Sequence, residues 1–464
     1  MNDFLSDRAQ NLFQQGTGLL RSGEAAGALA CFQEVQSLVG PVAKLYLHIG
    51  AALHELKRYD EAVGAYHKAV ELEPQSGEAH NNLGNTLMAL GCFAEAVESF
   101  ASASRLLTIS HIPLTAGASA LQALGLVKEA ENICRSVITG VPDFAEAHWN
   151  LSLNLLLQGN YLEGWREYEW RWRKPGFTSP LRHFNIPLWD GSDLSGKTIL
   201  LHAEQGFGDA IQFVRYAPLV AQRGGRVLLE CHPQLVSLFS TVEGVTAVFP
   251  FDTPLPPFNW QVPLHSLPLL FETTLESIPS NIPYFKAPLG YKEKWASLMN
   301  ALPAVTRIGI AWAGKEFPDP LRSIMPADLI PLSELSNTLF FSLQVDKRSG
   351  LDSLPSKLQA IDLTAHIRDF SDTAALIENL DLVISVDTAV AHLAAAMAKP
   401  VFLMVPTAPD WRWMLTRSDS PWYPSVKIFR QQQLGNWEQV VEAVVAAIAD
   451  NNTRKKPLEN QEAV

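Results

Sequence analysis

Cysteine is scarce and long apolar runs are missing from this chain. Four cysteines, Cys31, Cys92, Cys134 and Cys231, stand far apart among 464 residues, without a Cys-x-x-Cys pair. This spacing favours reduced, mostly buried thiols over a disulfide framework or a zinc site. No apolar run reaches the ~18 residues that a membrane-spanning helix needs. The first residues lack the basic and then apolar order of a signal peptide, so we expect a soluble, cytoplasmic protein without a transmembrane segment.

Positive charge is also in short supply. The 36 lysine and arginine residues face 48 aspartate and glutamate residues, which gives a net charge of -12 and a pI near 5.5. Unspecific binding to nucleic acid or to an anionic membrane is therefore not expected. A local basic pocket for one anionic ligand is compatible with this balance.

The first third of the chain repeats with a period of 34 residues. Three positions of the period keep their character in units that begin at Ala9, Ala43, Gly77, His111 and Ala145. The eighth is small (Gly16, Gly50, Gly84, Ala118, Ser152), the twentieth is small (Ala28, Ala62, Ala96, Ala130, Gly164), and the twenty-fourth is mostly aromatic (Phe32, Tyr66, Phe100, Cys134, Tyr168). Small residues allow the two helices of one unit to touch, and we expect the large residue to fill the groove between neighbouring units.

The pattern resembles the tetratricopeptide repeat, with about five units over residues 1–173. The resemblance implies an α-solenoid of helical hairpins that holds a peptide or another protein. Asn82, Asn85 and Asn150 are candidates to grip a peptide backbone, and solvated polar helix faces are the alternative. Residues 174–196 are rich in proline, glycine and serine and are interpreted as a linker that lies against the next domain.

From Lys197 onward, short apolar runs alternate with helical segments, which is typical of a doubly wound parallel sheet. Residues 197–290 form one such series and residues 291–450 form a second. Two halves in tandem place a ligand cleft between the carboxyl ends of their sheets. Residues 451–464 are predicted to form a disordered tail.

In the second half, the apolar run DLVISV passes into the helix TAVAHLAAAMA through Asp387 and Thr388. The first amides of a helix are unpaired donors at the positive end of its dipole, which makes an anion site. Thr388 adds a hydroxyl, and His392 lies one turn further on the same helix face. A nucleotide phosphate is the natural ligand. The alternative is an Asp cap on a buried helix, with His392 satisfied in the core.

In the first half, Gly206 and Gly208 frame a tight turn before Asp209. Glycines permit close backbone approach to a ligand, so we assign both to the donor site. The third glycine and the acid of a nicotinamide-binding fingerprint are missing, so that reading is rejected. Asp209 instead suits a base that deprotonates an acceptor hydroxyl.

A third cluster, Lys315 and Arg322, follows the apolar run RIGIAWAG. Cations at the end of a strand neutralise the charge that builds up on a departing diphosphate. An exposed loop with ordinary surface charges is the alternative.

The three motifs occur in the same order in heptosyltransferase-like glycosyltransferases, which the chain resembles over residues 197–447. The resemblance implies a GT-B fold of two Rossmann-like halves, with Asp209 as general base. It also implies a donor diphosphate site at the segment from Asp387 to His392, in which Ala389 and Ala391 replace the Gly and Ser frequent in that family. The family's cation corresponds to Arg322 or Lys315, and we favour Arg322. Repeats before a GT-B pair are also similar in layout to protein O-GlcNAc transferases.

We therefore expect a glycosyltransferase that moves a sugar from a nucleotide-diphosphate donor to a hydroxyl, on a protein or peptide held by the repeats. Direct attack implies inversion at the anomeric carbon. No Asp-x-Asp occurs in the chain, which argues for metal-independent chemistry with a nucleotide sugar as co-substrate and no bound cofactor. The alternatives are a lipid-linked or free glycan acceptor, a non-catalytic adaptor with a degenerate GT-B domain, and a sugar-nucleotide epimerase or hydrolase.

Aromatic residues concentrate in two places. The run YLEGWREYEWRWRKP suggests a capping helix after the repeats. Trp411, Trp413, Trp422 and Tyr423 lie nearer the carboxyl end, where we expect core packing for most of them rather than stacking on a base or sugar.

Overall fold

The computed structural model describes residues 7–179, 182, 184–315, 320–345 and 354–454. These residues form two compact units. One runs to Asn154 and includes Arg173–Pro175, and the other consists of Leu155–Trp172 and the chain from Gly176 onward. Leu155–Trp172, which the sequence places at the end of the repeats, therefore packs with the α/β unit.

The first unit is a succession of helices joined by short turns. They are α1 (Asp7–Arg21), α2 (Ala25–Val39), α3 (Ala43–Glu55), α4 (Tyr59–Leu72), α5 (Gly77–Leu90), α6 (Phe93–Leu106), α7 (His111–Ala123), α8 (Val127–Gly140) and α9 (Ala145–Leu157), the last of which crosses into the second unit. Each of the first four 34-residue periods holds one pair of these helices, which confirms the predicted repeat.

In the first three repeats, the glycine and the aromatic residue of the period meet inside the repeat. A Cβ atom added to Gly84 would lie 2.7 Å from Phe100, and one added to Gly50 would lie 2.6 Å from Tyr66. The aromatic ring therefore covers the glycine of its own hairpin, because the missing side chain leaves a slot that the nearest ring fills. The Phe32 ring also packs edge-on against His48 of the next unit, with 5.5 Å between ring centroids, so it reaches the groove between units as predicted.

The second unit opens with α10 (Tyr161–Tyr168) and the 3-10 turn Glu169–Arg173. Its first half contains β1 (Thr198–His202), α11 (Phe207–Phe213), α12 (Ala217–Ala221), β2 (Arg226–Cys231), α13 (Val236–Phe239), β3 (Val245–Pro250), β4 (Trp260–Pro263) and α14 (Leu267–Leu270). Its second half contains α15 (Leu289–Asn300), β5 (Thr306–Ala311), β6 (Thr338–Ser342), β7 (Ala360–Ile361), α16 (Phe370–Glu378), β8 (Leu382–Val386), α17 (Ala389–Ala396), β9 (Val401–Val405), β10 (Val426–Arg430) and α18 (Glu438–Arg454).

Each half is built on its own parallel sheet. The strand orders are β3-β2-β1-β4 and β10-β9-β8-β5-β6-β7, and every pair of neighbouring strands is parallel. The second order is that of a six-stranded Rossmann sheet, so the predicted α/β architecture with two Rossmann-like halves is confirmed. Connections reverse direction between β1 and β4 and between β5 and β8, and ligands bind in open α/β sheets at the carboxyl ends of such strand pairs.

An aromatic cluster binds α10 to the rest of the second unit. Trp165 packs edge-on against Trp411 at 5.2 Å between ring centroids and against Trp422 at 6.4 Å. The indole nitrogen of Trp422 donates a hydrogen bond to the Tyr161 hydroxyl at 2.9 Å. The four aromatic residues Trp411, Trp413, Trp422 and Tyr423 are at most 2% exposed, which confirms core packing as their role.

The remaining differences from the sequence predictions lie at the edges. Strands β7 and β10 were not predicted, and β10 completes the second sheet beside β9. The predicted linker lies against the first sheet, where the Trp189 amide donates to the Gln261 carbonyl at 2.9 Å. Helix α18 continues to Arg454, and the rest of the predicted tail, residues 455–464, falls outside the described residues. In the part of the chain that the structure describes, no helix is both long and apolar enough to cross a membrane.

Candidate active site

The predicted motifs stand at the two reversal points of the sheets. The turn after β1 carries Gly206 as N-cap of α11 and brings Asp209 to the third position of that helix. The turn after β8 carries Asp387, and Thr388 is the N-cap of α17. Both turns therefore lie where the fold places ligands, as expected from the β-turn-α reading of the sequence.

Asp209 is fixed by donors on both carboxylate oxygens. The Gly206 amide donates to Oδ2 at 2.9 Å, and the Arg412 guanidinium donates to Oδ1 at 2.5 Å. Burial raises the pKa of Asp209, but Arg412 and His265 outweigh that effect and hold the pKa well below its usual range. The side chain stays 22% exposed. Asp209 is thus an ionised carboxylate that solvent or a substrate can reach.

Arg412 is a site residue that the sequence analysis missed. It lies in the 3-10 turn Trp411–Trp413, with its guanidinium 4.4 Å from the Trp411 ring centroid. Besides Asp209 it donates to Asp410 at 2.9 Å and to the Gln212 side-chain oxygen. The available signal in the sequence was the pair Asp410 and Arg412 within a tryptophan-rich segment. Charged side chains that are buried among aromatic residues must pair with other polar groups.

Helices α11 and α17, one from each half, touch at Gly208. A Cβ atom on Gly208 would lie 2.9 Å from Cδ2 of the His392 ring and 3.6 Å from the Ala389 Cα. Glycine is required here because the backbone of α11 lies against the His392 side chain of α17, which leaves no room for a Cβ atom. The turn that carries Asp209 and the turn that carries Thr388 therefore lie next to each other.

His392 is enclosed rather than presented to solvent. The residue is 4% exposed, its Nδ1 lies 2.9 Å from the Tyr423 hydroxyl, and its Nε2 lies 3.4 Å from Asp387 Oδ1. Burial raises the pKa of Asp387, but His392 and then Arg322 outweigh it, so the pKa lies below its usual value. Asp387 and His392 therefore pair with each other at the start of α17, where both are largely shielded from solvent.

The start of α17 has no side-chain cap. Thr388 is the N-cap residue of α17 by its backbone, but its hydroxyl accepts no hydrogen bond from the helix amides. That hydroxyl lies 2.9 Å from the Ser385 hydroxyl. The first amides of α17 have no partner within the helix. Ala389 and Val390, which carry these amides, are partly exposed.

Arg322 and Lys315 occupy the loop after β5. The Arg322 guanidinium crosses Gly314 and donates from Nη2 to the Lys315 carbonyl at 3.1 Å. Its buried Nε has no acceptor among the described residues. The Lys315 side chain is exposed and helps to lower the pKa of His232, whose own burial is the larger cause. Residues 316–319 of this loop fall outside the described residues.

A row of buried charges lies behind Asp209. Arg171 is fully buried and pairs with both oxygens of Glu204, at 2.8 and 3.0 Å. The ring of His265 lies between two carboxylates, with Nδ1 3.1 Å from Glu204 and Nε2 3.7 Å from Asp209. Glu204 follows β1 and His265 follows β4, so both stand at the reversal point of the first sheet. In the sequence, each of these two residues could have been noticed as a polar residue just after an apolar run.

The three predicted peptide-binding asparagines differ in environment. Asn85 is exposed and Asn82 is partly buried. The Asn150 amide donates to the Thr115 carbonyl at 3.2 Å and to the Ser119 hydroxyl at 2.8 Å. Asn150 therefore ties α9 to α7, while Asn85 is available to a ligand.

Comparison with known proteins identifies both regions. Residues 43–91 match the family described as "TPR repeat". Residues 336–443, which include Asp387, Thr388, His392 and Arg412, match "Glycosyltransferase family 9 (heptosyltransferase)". The chain therefore contains one region similar to tetratricopeptide repeats and another similar to family 9 glycosyltransferases. The second region supports glycosyl transfer as the general activity.

Individual relatives fall into two groups. Protein FlbA of Caulobacter vibrioides is 27% identical over 436 residues, which cover 87% of this chain and 72% of FlbA. The peroxisomal targeting signal receptor of Kluyveromyces lactis is 32% identical over 100 residues, which cover 22% of this chain and only 18% of the receptor. The first similarity extends over both regions and the second over a part of the chain.

Solved structures give a similar pair. The crystal structure of a family 9 glycosyltransferase from Veillonella parvula covers 58% of this chain and all of its own, with 9% identity and a TM-score of 0.44. The crystal structure of MamA covers 33% of this chain and 91% of its own, with 19% identity and a TM-score of 0.32.

Proposed function

We propose that the protein transfers a sugar from a nucleoside-diphosphate donor to a hydroxyl group of a protein or peptide. The observation that carries the proposal is the contact between α11 and α17. It places the turn of Asp209, a partly exposed carboxylate, beside the start of α17 at Thr388–Val390, and the two elements come from different sheets. A direct glycosyl transfer needs a base and an anion site near each other.

The donor diphosphate is assigned to the second half. The first amides of α17 and the Thr388 hydroxyl provide hydrogen bonds, and the dipole of α17 favours negative charge. Arg322 adds a cation whose Nε–H has no acceptor among the described residues, so it can donate to a phosphate oxygen without breaking a bond. Lys315 is exposed on the same loop. These side chains supply the positive charge that stabilises the leaving group, without a metal ion.

Asp387 and His392 support this site from below. A carboxylate repels a diphosphate, so direct contact of Asp387 with phosphate is unfavourable. Its pairing with His392 and its interaction with Arg322 instead orient the cation and the start of α17. Gly206 and Gly208 belong to the donor site through the space they leave, since a side chain at Gly208 would displace His392.

Asp209 is assigned as the general base, through Oδ2. Oδ1 faces Arg412 and His265, whereas Oδ2 accepts the Gly206 amide as its one hydrogen bond among the described residues and has capacity for another proton donor. The acceptor O–H proton passes to Oδ2 as the acceptor oxygen bonds to the anomeric carbon, and the bond from that carbon to the diphosphate breaks on the opposite face. The sugar product is inverted.

A protein or peptide acceptor is favoured by the repeats. Tetratricopeptide arrays bind extended segments, and a small acceptor needs no such surface. The exposed Asn85 and the neighbouring Asn82 are the residues that we assign to backbone contacts with the acceptor, while Asn150 ties α9 to α7 further along the array.

The test compares Asp209→Asn with the wild-type protein in cells. Mass spectrometry of co-purified proteins should find an added sugar mass with the wild type and not with Asp209→Asn, while both proteins bind the same nucleoside diphosphate. Glu243→Gln, an exposed acid in the same half, is the matched control and should transfer normally. Transfer by Asp209→Asn would overturn the assignment of the base. Partner binding without any sugar transfer by the wild type would identify an adaptor.

A further inference from the structure

His265 stands where the first sheet reverses, beside the proposed base. It lies in the 3-10 turn Leu264–Ser266 directly after β4 and is 1% exposed. Its ring stacks on Tyr168 with 4° between the planes, and the Phe213 ring lies 4.5 Å away on centroids. Tyr168 and Phe213 contact the ring of His265, and its two nitrogen atoms face Glu204 and Asp209.

We infer that His265 is a positioning residue for Asp209, held in place by Glu204 and Arg171. The row Arg171, Glu204, His265, Asp209, Arg412 alternates in charge when His265 carries its second proton. Arg171 also donates to Ser266 at 2.9 Å and to Glu169 at 2.7 Å, so the segment before Gly176 anchors the row. The importance of this row for sugar transfer rests on the proposed function, but the row itself does not.

A second buried histidine shows what burial alone does. His202 ends β1, and its Nε2 lies 2.9 Å from the neutral Gln261 side chain. Burial lowers the pKa of His202 to about 4. Burial also acts to lower the pKa of His265, but Glu204 and Asp209 outweigh it and raise the pKa. The pKa values of the two histidines therefore shift in opposite directions, because one faces carboxylates and the other faces an amide.

The charged row fixes the sign of the expected pH effects. The groups that face His265 are Glu204 after β1, Asp209 on α11, Arg171 and Tyr168 from the segment before Gly176, and Arg412 across the cleft. The two carboxylates favour the imidazolium and the two guanidinium groups oppose it. Removing the imidazolium takes one of two cations from Asp209, which raises the pKa of that carboxyl group.

The first test needs no enzymatic activity. Histidine side chains of the full-length protein are labelled with carbon-13 and titrated by NMR, and the His265 signal is assigned by its loss in His265→Gln. We expect His265 to titrate above the ordinary histidine range in the wild type. In Glu204→Gln its midpoint should fall by about one pH unit or more. His202 should titrate well below the ordinary range in both proteins.

A wild-type His265 that titrates at or below the ordinary range would overturn the inference. So would a midpoint that Glu204→Gln and Asp209→Asn both leave unchanged. The wild-type measurement decides the matter even where a variant is too unstable to study.

The second test reads out catalysis with a panel of UDP-, GDP-, CDP-, ADP- and dTDP-sugars. His265→Gln should lower kcat/KM on the order of 10- to 100-fold and move the acidic limb of its pH profile to higher pH. His202→Gln, the matched control, should leave the acidic limb in place. An unchanged limb in His265→Gln would contradict the positioning role. Absence of turnover with every donor would reject the proposed function, while the histidine titration would still test the inference.

Discussion

At the scale of single residues, the site is organised around Asp209 and Arg412. Arg412 is 7% exposed and meets two carboxylates, those of Asp209 and Asp410. Burial raises the pKa of Asp410 above its usual value, an effect that Asp387 increases and Arg412 opposes. One guanidinium therefore serves both carboxylates. This arrangement explains how several carboxylates lie close together in one buried region.

Motifs located part of this site and could not locate the rest. Asp209, Thr388 and Arg322 were predictable because each follows an apolar run, where α/β folds place ligands. The partnership of Asp209 with Arg412 joins residues 203 positions apart. No local pattern encodes such a contact, because it depends on how the two halves close over the aromatic cluster.

Glu204 gives a pH-dependent prediction. Burial raises its pKa, but Arg171 and His265 outweigh it and lower the pKa from 4.5 to about 2. Since the folded-state pKa is depressed, the stabilisation is complete above the unfolded value of 4.5 and is lost as the pH falls toward 2. At pH 7, Glu204→Gln should lower the free energy of unfolding by about 3 kcal/mol, because the buried Arg171 then loses its two-bond carboxylate partner and, among the described residues, keeps only the carboxylate of the partly exposed Glu169.

Urea unfolding at pH 7 and pH 3 checks this prediction. The difference between wild type and Glu204→Gln should be smaller at pH 3. Glu293→Gln, an exposed acid on α15, is the control and should change the unfolding free energy by less than about 0.5 kcal/mol at both pH values. A difference that stays constant with pH would argue against the Arg171–Glu204 pair.

At the scale of elements, close contacts between helices depend on glycines whose positions can be read from the sequence. The register of Gly50 with Tyr66 and of Gly84 with Phe100 could be predicted from the 34-residue period, since small and aromatic positions recur together. The contact of each ring with the glycine of its own hairpin could not, because the period alone does not state which side chains touch. Strand β10 was also missed, since Lys427 interrupts its apolar run.

The contact of α11 with α17 gives the prediction at this scale. Gly208→Ala should destabilise the second unit by about 1–3 kcal/mol, because the new methyl group pushes the His392 ring from between Tyr423 and Asp387. It should also weaken nucleoside-diphosphate binding through the start of α17. Thermal melts and calorimetric titration measure the two effects.

Gly290→Ala is the matched control for Gly208→Ala. Gly290 lies on α15, and a Cβ atom there would meet nothing within 4 Å. The control should be neutral or slightly stabilising, since alanine is the better helix residue by about 1 kcal/mol. If both substitutions leave stability and binding unchanged, the tight crossing of the two helices is not required.

At the scale of the molecule, the boundary between the two units differs from the boundary in the repeat pattern. The 34-residue period continues through Gly164 and Tyr168, yet Leu155–Trp172 groups with the α/β unit. Trp165 in the aromatic cluster and Arg171 on Glu204 are the physical reason. A repeat pattern predicts how neighbouring helices pack, but it does not predict which hydrophobic core a helix joins.

Truncation tests this boundary. A chain that begins at Ala145 should fold its α/β part with a cooperative thermal transition, because it keeps α9, α10 and Arg171. A chain that begins at Gly176 should not, since it exposes the aromatic cluster and leaves Glu204 without its main partner. Circular dichroism melts distinguish the two. Equal cooperativity in both chains would mean that Leu155–Trp172 is dispensable.

The central claim is that the cleft binds a nucleoside diphosphate at the start of α17, with Arg322 on its phosphates. Calorimetric titration of the full-length protein with UDP, GDP, CDP, ADP and dTDP tests it most directly. We predict that at least one of them binds. We also predict that Arg322→Ala weakens that binding by about 10- to 100-fold, as expected for a lost charged hydrogen bond, while Arg417→Ala, which removes an exposed cation paired with Asp419, leaves it unchanged. Absence of binding by all five nucleotides, or equal affinity in Arg322→Ala, would contradict the account.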